Sequence, residues 1–400
     1  MTGGSERGRK KYKEEYYHLV SRLELIRGGE SFFSLLNELI ANAKVEIHIQ
    51  YYILDADSTG NQVISSLKGA ASRGVQVYLV LDSYGSSELS STVIRDLEEA
   101  GVNFKWFRPV IRLSNMEFGR RMHHKVVVID EDMALVTGVN IADRYNDTPD
   151  SPAWLDFALL AEGRAAMEIK RRCEQIWEKP SKFLSKNRRF RLPPFPASIH
   201  AENSLVKVSI NDWLRGKNDI YKGYRNAIAK AEFEIFIVGG YFLPGRNFRK
   251  SLAEASSRGV KISVILTGVS DVRFAKPAEE YLYSWMIQNK IHIYEWQPTV
   301  MHGKVAVVDR QWSTVGSYNL NYLSTFESIE LNLEVIDEDF SSELSTLLHS
   351  ISEKECRKVV PEEFYRDYSI FKKIKLRFSY WFARTSMRIL NAFSNKPKLP

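Results

Sequence analysis

Two stretches of the chain carry the same polar residues in the same frame. Met122–Asn140 reads MHHKVVVIDEDMALVTGVN, and Met301–Asn319 reads MHGKVAVVDRQWSTVGSYN. Each holds a His, a Lys two residues later, an Asp five after the Lys and an Asn seventeen after the His. These are His123, Lys125, Asp130 and Asn140 in the first copy, and His302, Lys304, Asp309 and Asn319 in the second. Between Lys and Asp an apolar run, VVVI or VAVV, reads as a buried strand closed by a turn. Residues i and i+2 of a strand face one side. An imidazole and an ammonium therefore share one face, twice over, which suits the binding and transfer of a phosphoryl group. One such pattern arises by chance in about 2–3% of chains of this composition. Two copies are not accident, and the polar residues recur while the apolar ones between them drift.

Neither copy is complete alone. Displacement at phosphorus needs a nucleophile on one side and a proton donor on the leaving oxygen. Two histidines facing one cleft supply both, one attacking and one serving as acid and then base. The two roles need opposite protonation states, so the pair should titrate as a coupled, bell-shaped system. Lys125, Lys304, Asn140 and Asn319 are donors for the non-bridging oxygens. His124 faces the other side of the strand and reads as a packing residue. A zinc site from His123, His124 and His302 lacks any Cys or HExxH spacing.

The surrounding elements repeat as well. Residues 31–43 have helical periodicity, 45–52 alternate like a strand, and 60–73 form a second helix closed by Gly74. VQVYLVLD at 75–82 is a strand covered on both faces. A helix over 92–100, strands at 104–107 and 157–161 and a helix over 165–178 follow. AKVEIHIQYYIL from Ala43 matches AEFEIFIVGGYFLP from Ala231, and SRGVQVYLVLDSYG from Ser72 matches SRGVKISVILTGVS from Ser257. The offsets of 188, 185 and, at the histidines, 179 residues describe a duplicated α/β domain. The expected division is a polar N-terminal extension (1–30), a first domain (31–178), a basic Pro-rich linker (179–204), a second domain (205–352) and a basic tail (353–400). The linker reads as a solvated connection or as a flap over the site. Tyr51 and Tyr241 are candidates to line the cleft or to pack the core.

Composition sets bounds. With 44% apolar and 26% charged residues the chain is an ordinary globular one, long enough for two or three cores. Two cysteines give no disulfide framework. No apolar leader is present at the start, and no run of about 18 apolar residues is long enough to span a bilayer. The net charge of +7 is largely a tail property: residues 366–400 hold nine Lys or Arg against Asp367, leaving the rest at −1. SIFKKIKLRFSYWFARTSMRILNAFSNK mixes those cations with large apolar residues, as in a helix lying on anionic lipid. A helix docked on the second domain, or a nucleic-acid arm, would read similarly.

The two motifs resemble the HKD motifs of the phospholipase D superfamily. The segment RGVQVYLVLDSYGS…LEEAGVNFKWFRP…RRMHHKVVVID is similar, in order and spacing, to bacterial cardiolipin synthases. The resemblance implies two pseudo-symmetric phospholipase D-like domains, each a mixed, largely parallel sheet flanked by helices, with the active site at their interface. It implies a metal-independent enzyme without a cofactor, with both His/Lys/Asp/Asn sets catalytic, His123 as nucleophile and His302 as acid and base. From position alone, Asp130 and Asp309 read rather as organisers of backbone and turn. Each His needs a group to hold its tautomer. Glu330, eleven residues after Asn319, and Asp156, in a family Trp-x-Asp pattern, are the candidates, with Glu334 as rival. Two departures stand out. The family's Gly-Ser before the Asn is Thr137-Gly138 in the first copy against Gly316-Ser317 in the second, and Asn321 replaces a common Asp. Ser317, Thr137, Arg120 and Arg121 are candidates to bind substrate. The expected reaction joins two phosphatidylglycerols into cardiolipin with release of glycerol, another phosphatidyl donor being an alternative, on the cytoplasmic side of the membrane. Hydrolysis of phospholipid, or a nuclease, is the runner-up. The peripheral charge and the lack of RNP or KH signatures speak against nucleic acid. A lipid-binding scaffold would be expected to lose a His or Lys, and both copies are intact.

Overall fold

The computed structural model describes residues 17–107, 120–178, 204–272 and 275–392. The linker reading, and residues 108–119 before the first motif, lie outside them. The first half forms seven strands: β1 His18–Arg27, β2 Glu46–Tyr51, β3 Gln76–Asp82, β4 Asn103–Phe107, β5 Lys125–Ile129, β6 Met133–Thr137 and β7 Phe157–Gly163. The second half repeats them as β8 Leu205–Asp212, β9 Glu234–Gly239, β10 Lys261–Val269, β11 Ile291–Val300, β12 Lys304–Val308, β13 Trp312–Gly316 and β14 Ser328–Ile336. The helices are α1 Glu30–Asn42, α2 Ser58–Ser72, α3 Ser91–Glu99, α4 Arg164–Trp177, α5 Asp219–Lys230, α6 Arg246–Ser257, α7 Ala275–Glu280, α8 Tyr283–Gln288, α9 Tyr322–Phe326, α10 Glu338–Lys354, α11 Pro361–Arg366 and α12 Ile370–Ala392.

Both sheets have one order, β4-β3-β2-β5-β6-β7-β1 and β11-β10-β9-β12-β13-β14-β8. The class is α/β and the sheets are mixed. Pairing is parallel only among β2, β3 and β4, and among their counterparts, where helices cross over. The other pairs in each sheet are antiparallel, so the expected predominance of parallel strands does not extend past the first β-α-β turns. Short turns join β5 to β6 and β12 to β13, and such turns can only return the chain antiparallel.

Three apolar clusters hold the chain. One lies under α1 and α2 in the first half and one under α5 and α6 in the second. The third lies between the sheets, where Val126, Val128 and Leu159 share a core with Val305, Val307 and Leu333. The motif strands β5 and β12 are buried at every residue. Each runs antiparallel to both of its neighbours, one of them its hairpin partner, which fixes its register. The two-residue strand Arg121–Met122 pairs in parallel with Ser328–Ile329, and Leu155 forms a parallel bridge with Met301.

Two segments differ from the sequence reading. Residues 18–27, expected in a loose extension, form β1, which pairs along β7 and touches β8 at its start. Only Val20 and Ile26 of β1 are buried, so it has no apolar run to betray it. In the tail, Cys356–Lys358 pairs with β11 and Phe364 of α11 is buried, so the second half extends past residue 352. Helix α12 lies against it: Leu376 and Ser379 are buried, and Tyr380 stacks on Tyr281 at 4.6 Å. Its outer side exposes Ile370, Phe371, Ile374, Phe378, Trp381 and Phe382. Among the described residues no helix is long and apolar enough to cross a membrane.

Candidate active site

The two motif histidines stand just before β5 and β12, and their carboxylate partners come from the opposite halves. His123 places Nδ1 2.9 and 3.0 Å from the two oxygens of Glu330, which is the third residue of β14. His302 places Nδ1 2.6 Å from Oδ2 of Asp156, which directly precedes β7. The backbone enforces this exchange. His123 donates its N–H to Ile329 O at 3.0 Å, and His302 donates to Leu155 O at 2.8 Å. In each case the accepted carbonyl directly precedes the carboxylate residue. A neutral imidazole that donates from Nδ1 keeps its lone pair on Nε2, the atom that can attack or exchange a proton.

Lys125 and Lys304 are buried beside them. Lys125 Nζ donates to His123 O at 2.5 Å and lies 5.3 Å from the ring centre of Tyr52. Lys304 Nζ contacts His302 O, lies 2.7 Å from His302 Nδ1 and 3.5 Å from Asp156. Burial pulls the Lys125 amine down to about 7, opposed by the Glu330 charge and reinforced by Lys304. Lys304 is lowered too, by burial against the pull of Asp156 and Glu330. His302 falls to about 3, through burial and then the Lys304 charge, with Asp156 opposing. His123 is lowered by burial against Glu330. Burial alone would raise Glu330, but the His123 charge and hydrogen bond, Lys125 and Ser317 hold it below the usual range. Each motif thus feels the other's charges. The site is a largely buried cluster of two amines, two imidazoles and two carboxylates, in which a bound phosphate anion would favour the charged form of the amines.

The remaining candidates divide. Ser317 donates to Glu330 Oε2 at 2.5 Å and so braces the carboxylate that holds His123. Asn140 donates to Tyr145 OH at 2.9 Å, and the side-chain oxygens of Asn140 and Asn319 are buried with no partner among the described residues. Thr137 does not reach the site: its hydroxyl donates to Phe157 O and accepts from Val139 N, closing its own turn. The offset by one from Ser317 turns it to the other side. Asp130 and Asp309 also lie away from the histidines. Each accepts three backbone N–H groups where the next strand starts, from Lys44, Val45 and Glu46 and from Glu232, Phe233 and Glu234. Glu334 binds Lys207, Ser209 and Tyr17 instead of a histidine. Four residues of strand carry it about 13 Å beyond Glu330. Arg120 pairs with Asp212 at 2.5 Å, and Arg121 lies 3.9 Å from Asp82 and over Tyr84. Asn321 caps α9, accepting from Ser324 N. Tyr51 is core; Tyr241 binds Asp271 with its ring 6.3 Å from His302. His124 is buried against Gln50.

Sequence reasoning did not single out Asp82, Tyr52 or Tyr145. Asp82 accepts Met122 N at 2.9 Å and so fixes the residue before His123. Tyr52 packs edge-on to His123 at 4.9 Å, and Tyr145 packs on His302 at 5.3 Å. Asp82 ends an apolar run, and a buried acid at a strand end is the one signal that was present. Among the described residues no group of three or more His, Cys, Asp and Glu is placed to hold a metal ion.

The chain is similar to known proteins over most of its length. The family described as "Cardiolipin synthase, PLD-like domain" matches residues 36–156 and 224–351. Cardiolipin synthase B of Salmonella typhi is 30% identical over 341 residues, 85% of this chain and 82% of that one. Cardiolipin synthase B of Escherichia coli K12 is 30% identical over 343 residues, with the same coverage. The crystal structure of phosphatidylserine synthase from Haemophilus influenzae superposes with a TM-score of 0.74 at 13% identity, covering 98% of this chain and 100% of that one, which shows a shared fold. With duplicated sheets, crossed histidine–carboxylate pairs and this likeness together, the chain belongs to the phospholipase D-like family of cardiolipin synthases, enzymes of the phosphatidyltransferase type.

Proposed function

We propose that the protein makes cardiolipin from two phosphatidylglycerols through a phosphohistidine. The observation that carries this reading is the exchange of carboxylates, Glu330 to His123 and Asp156 to His302, which orients two Nε2 atoms from two halves. His123 is the nucleophile. Glu330 serves it with help from a neutral hydroxyl, whereas Asp156 divides its charge between His302 and Lys304. That leaves His123 the stronger base and His302 the readier acid. Nε2 of His123 attacks phosphorus, the bond to the headgroup glycerol breaks, and that oxygen takes the Nε2 proton of His302, a proton His302 gains as the bound phosphodiester anion offsets the burial and the Lys304 charge that keep it neutral in the free protein. A hydroxyl of the second phosphatidylglycerol then gives its proton to His302 as its oxygen attacks phosphorus and the P–N bond breaks. Lys125, Lys304 and the motif asparagines stabilise the non-bridging oxygens.

The acceptor lipid and the anionic bilayer are the partners in this reading. The outer side of α12, apolar with Lys372, Lys373, Lys375, Arg377 and Arg384 on the same helix, suits peripheral binding on the cytoplasmic face. Each such cation near anionic lipid contributes roughly 1 kcal/mol. The test is direct: pure protein, phosphatidylglycerol vesicles and EDTA, with products read by mass spectrometry. Cardiolipin and glycerol are expected. Phosphatidic acid alone would mean hydrolysis, and cut oligonucleotides without lipid product would mean a nuclease.

A further inference from the structure

Behind the His123–Glu330 pair, on the opposite side of both strands, lies a cavity of about 60 Å³ lined by charged side chains over an apolar floor. Arg120 and His124 reach it from either side of His123, and Ile329 and Leu331 from either side of Glu330. Neighbouring residues of a strand face opposite ways, so this cavity is distinct from the histidine site. Each water needs about 10–15 Å³ of such space, so there is room for roughly four, the size of a phosphate group.

Its lining is unbalanced in charge. Arg120, Arg172, Arg215 and Lys217 face a single carboxylate, Asp212. Asp212 spends one oxygen on Arg120 at 2.5 Å, and Arg215 lies 3.7 Å from that same oxygen. Arg172 is turned partly to Glu168 at 3.3 Å. Three buried atoms have no hydrogen-bond partner among the described residues: Nε of Arg120, Nε of Arg172 and Oδ1 of Asp212. Unmet donors beside an unmet acceptor are costly unless a ligand or water completes them. Burial, then repulsion from Arg120, lowers the Arg215 guanidinium, with Arg172 adding to it against Asp212. The cations therefore crowd around one carboxylate, Asp212, that does not balance them.

We propose that this cavity binds a phosphomonoester-type oxyanion, with the guanidiniums on its oxygens and Asp212 Oδ1 accepting from its remaining hydroxyl. The acceptor is what sets the class. At neutral pH hydrogen phosphate carries a proton to donate, a phosphomonoester with its second pKa of about 6 does so in its monoanionic form, and sulfate does not. The ligand is inorganic phosphate or the headgroup of a phosphomonoester lipid, which share this chemistry.

The test needs no turnover, so it stands or falls apart from the proposed reaction. The full-length protein is titrated with inorganic phosphate, with short-chain phosphatidic acid and with sulfate at matched ionic strength, and its melting temperature is followed. Phosphate or phosphatidic acid should raise it and sulfate should not. A rise with inorganic phosphate identifies the free ion as sufficient, and a rise with phosphatidic acid alone identifies the lipid headgroup. Arg215→Gln and Lys217→Gln, each partly exposed and made singly, should weaken the apparent affinity about tenfold by removing one charged contact. Titrations identical to wild type in both variants, or an equal rise with sulfate, would overturn the proposal.

Discussion

The two halves have one framework and two differently built ends. In the second half Ser317 has its hydroxyl on Glu330, a long acid that reaches across to His123. In the first half the same position is Gly138, and the shorter Asp156 fills the space its side chain would need. A Cβ there would lie 2.4 Å from Asp156 Oδ1. His302 is more enclosed than His123, with 6% of its side chain exposed against 16%. Its partner acid is also bonded to Lys304, while Lys125 turns to a carbonyl and a tyrosine face. Duplication thus preserved the positions of the imidazoles and changed what surrounds them. A reaction that needs one base and one acid can use that difference.

The sharpest way to break the comparison is to remove each imidazole. His123→Ala and His302→Ala should each lower turnover by about 10⁴-fold or more, measured as cardiolipin formed. They should differ with a substrate whose leaving group needs no proton, such as a nitrophenyl phosphodiester. His302→Ala should still trap labelled phosphorus on the protein, and His123→Ala should not. Label on the His123→Ala protein would reverse the assignment.

Exchanging the arms comes next. Gly138→Ser, which copies the second half, should drive Asp156 from His302 and cost about 10²-fold or more in kcat, in line with loss of an orienting acid. Ser317→Ala should cost about tenfold, since it removes one hydrogen bond to a charged acceptor. Equal losses would mean that the two arms are interchangeable. A smaller effect concerns pH. Lys125 sits at about 7 in the free protein, and a bound phosphodiester anion raises it. A group raised by binding takes up a proton between its free and bound values, so affinity for the anion should fall as pH rises above 7. Calorimetry in buffers of different ionisation enthalpy should register that uptake. The smallest effect belongs to an element that, among the described residues, only the second half carries: removing residues 370–400 should weaken vesicle binding in a salt-sensitive way while leaving the histidine site intact.

Much of this site was legible because it is local. An H-x-K spacing on an apolar strand puts both side chains on one face whatever the rest of the chain does. The carboxylates were legible as Asp156 and Glu330, but their partners were not, because which His each one meets depends on the docking of two sheets, across pairs 207 and 146 residues apart in the chain. Thr137 looked equivalent to Ser317 by composition, yet one position along a strand reverses the face. The strand β1 was hidden for a related reason: it is largely half-exposed, with only Val20 and Ile26 buried, and what orders it is chiefly the ladder it completes with β7.

The parallel stitch between Arg121–Met122 and Ser328–Ile329, with its twin at Leu155 and Met301, has an arithmetic of its own. A gene fragment encoding either half would supply an imidazole and leave its counterpart acid on the missing piece. If the crossed imidazole–acid pairs are what make the histidines work, half a chain should be inactive, and two separately made halves would have to find each other before either imidazole met its acid.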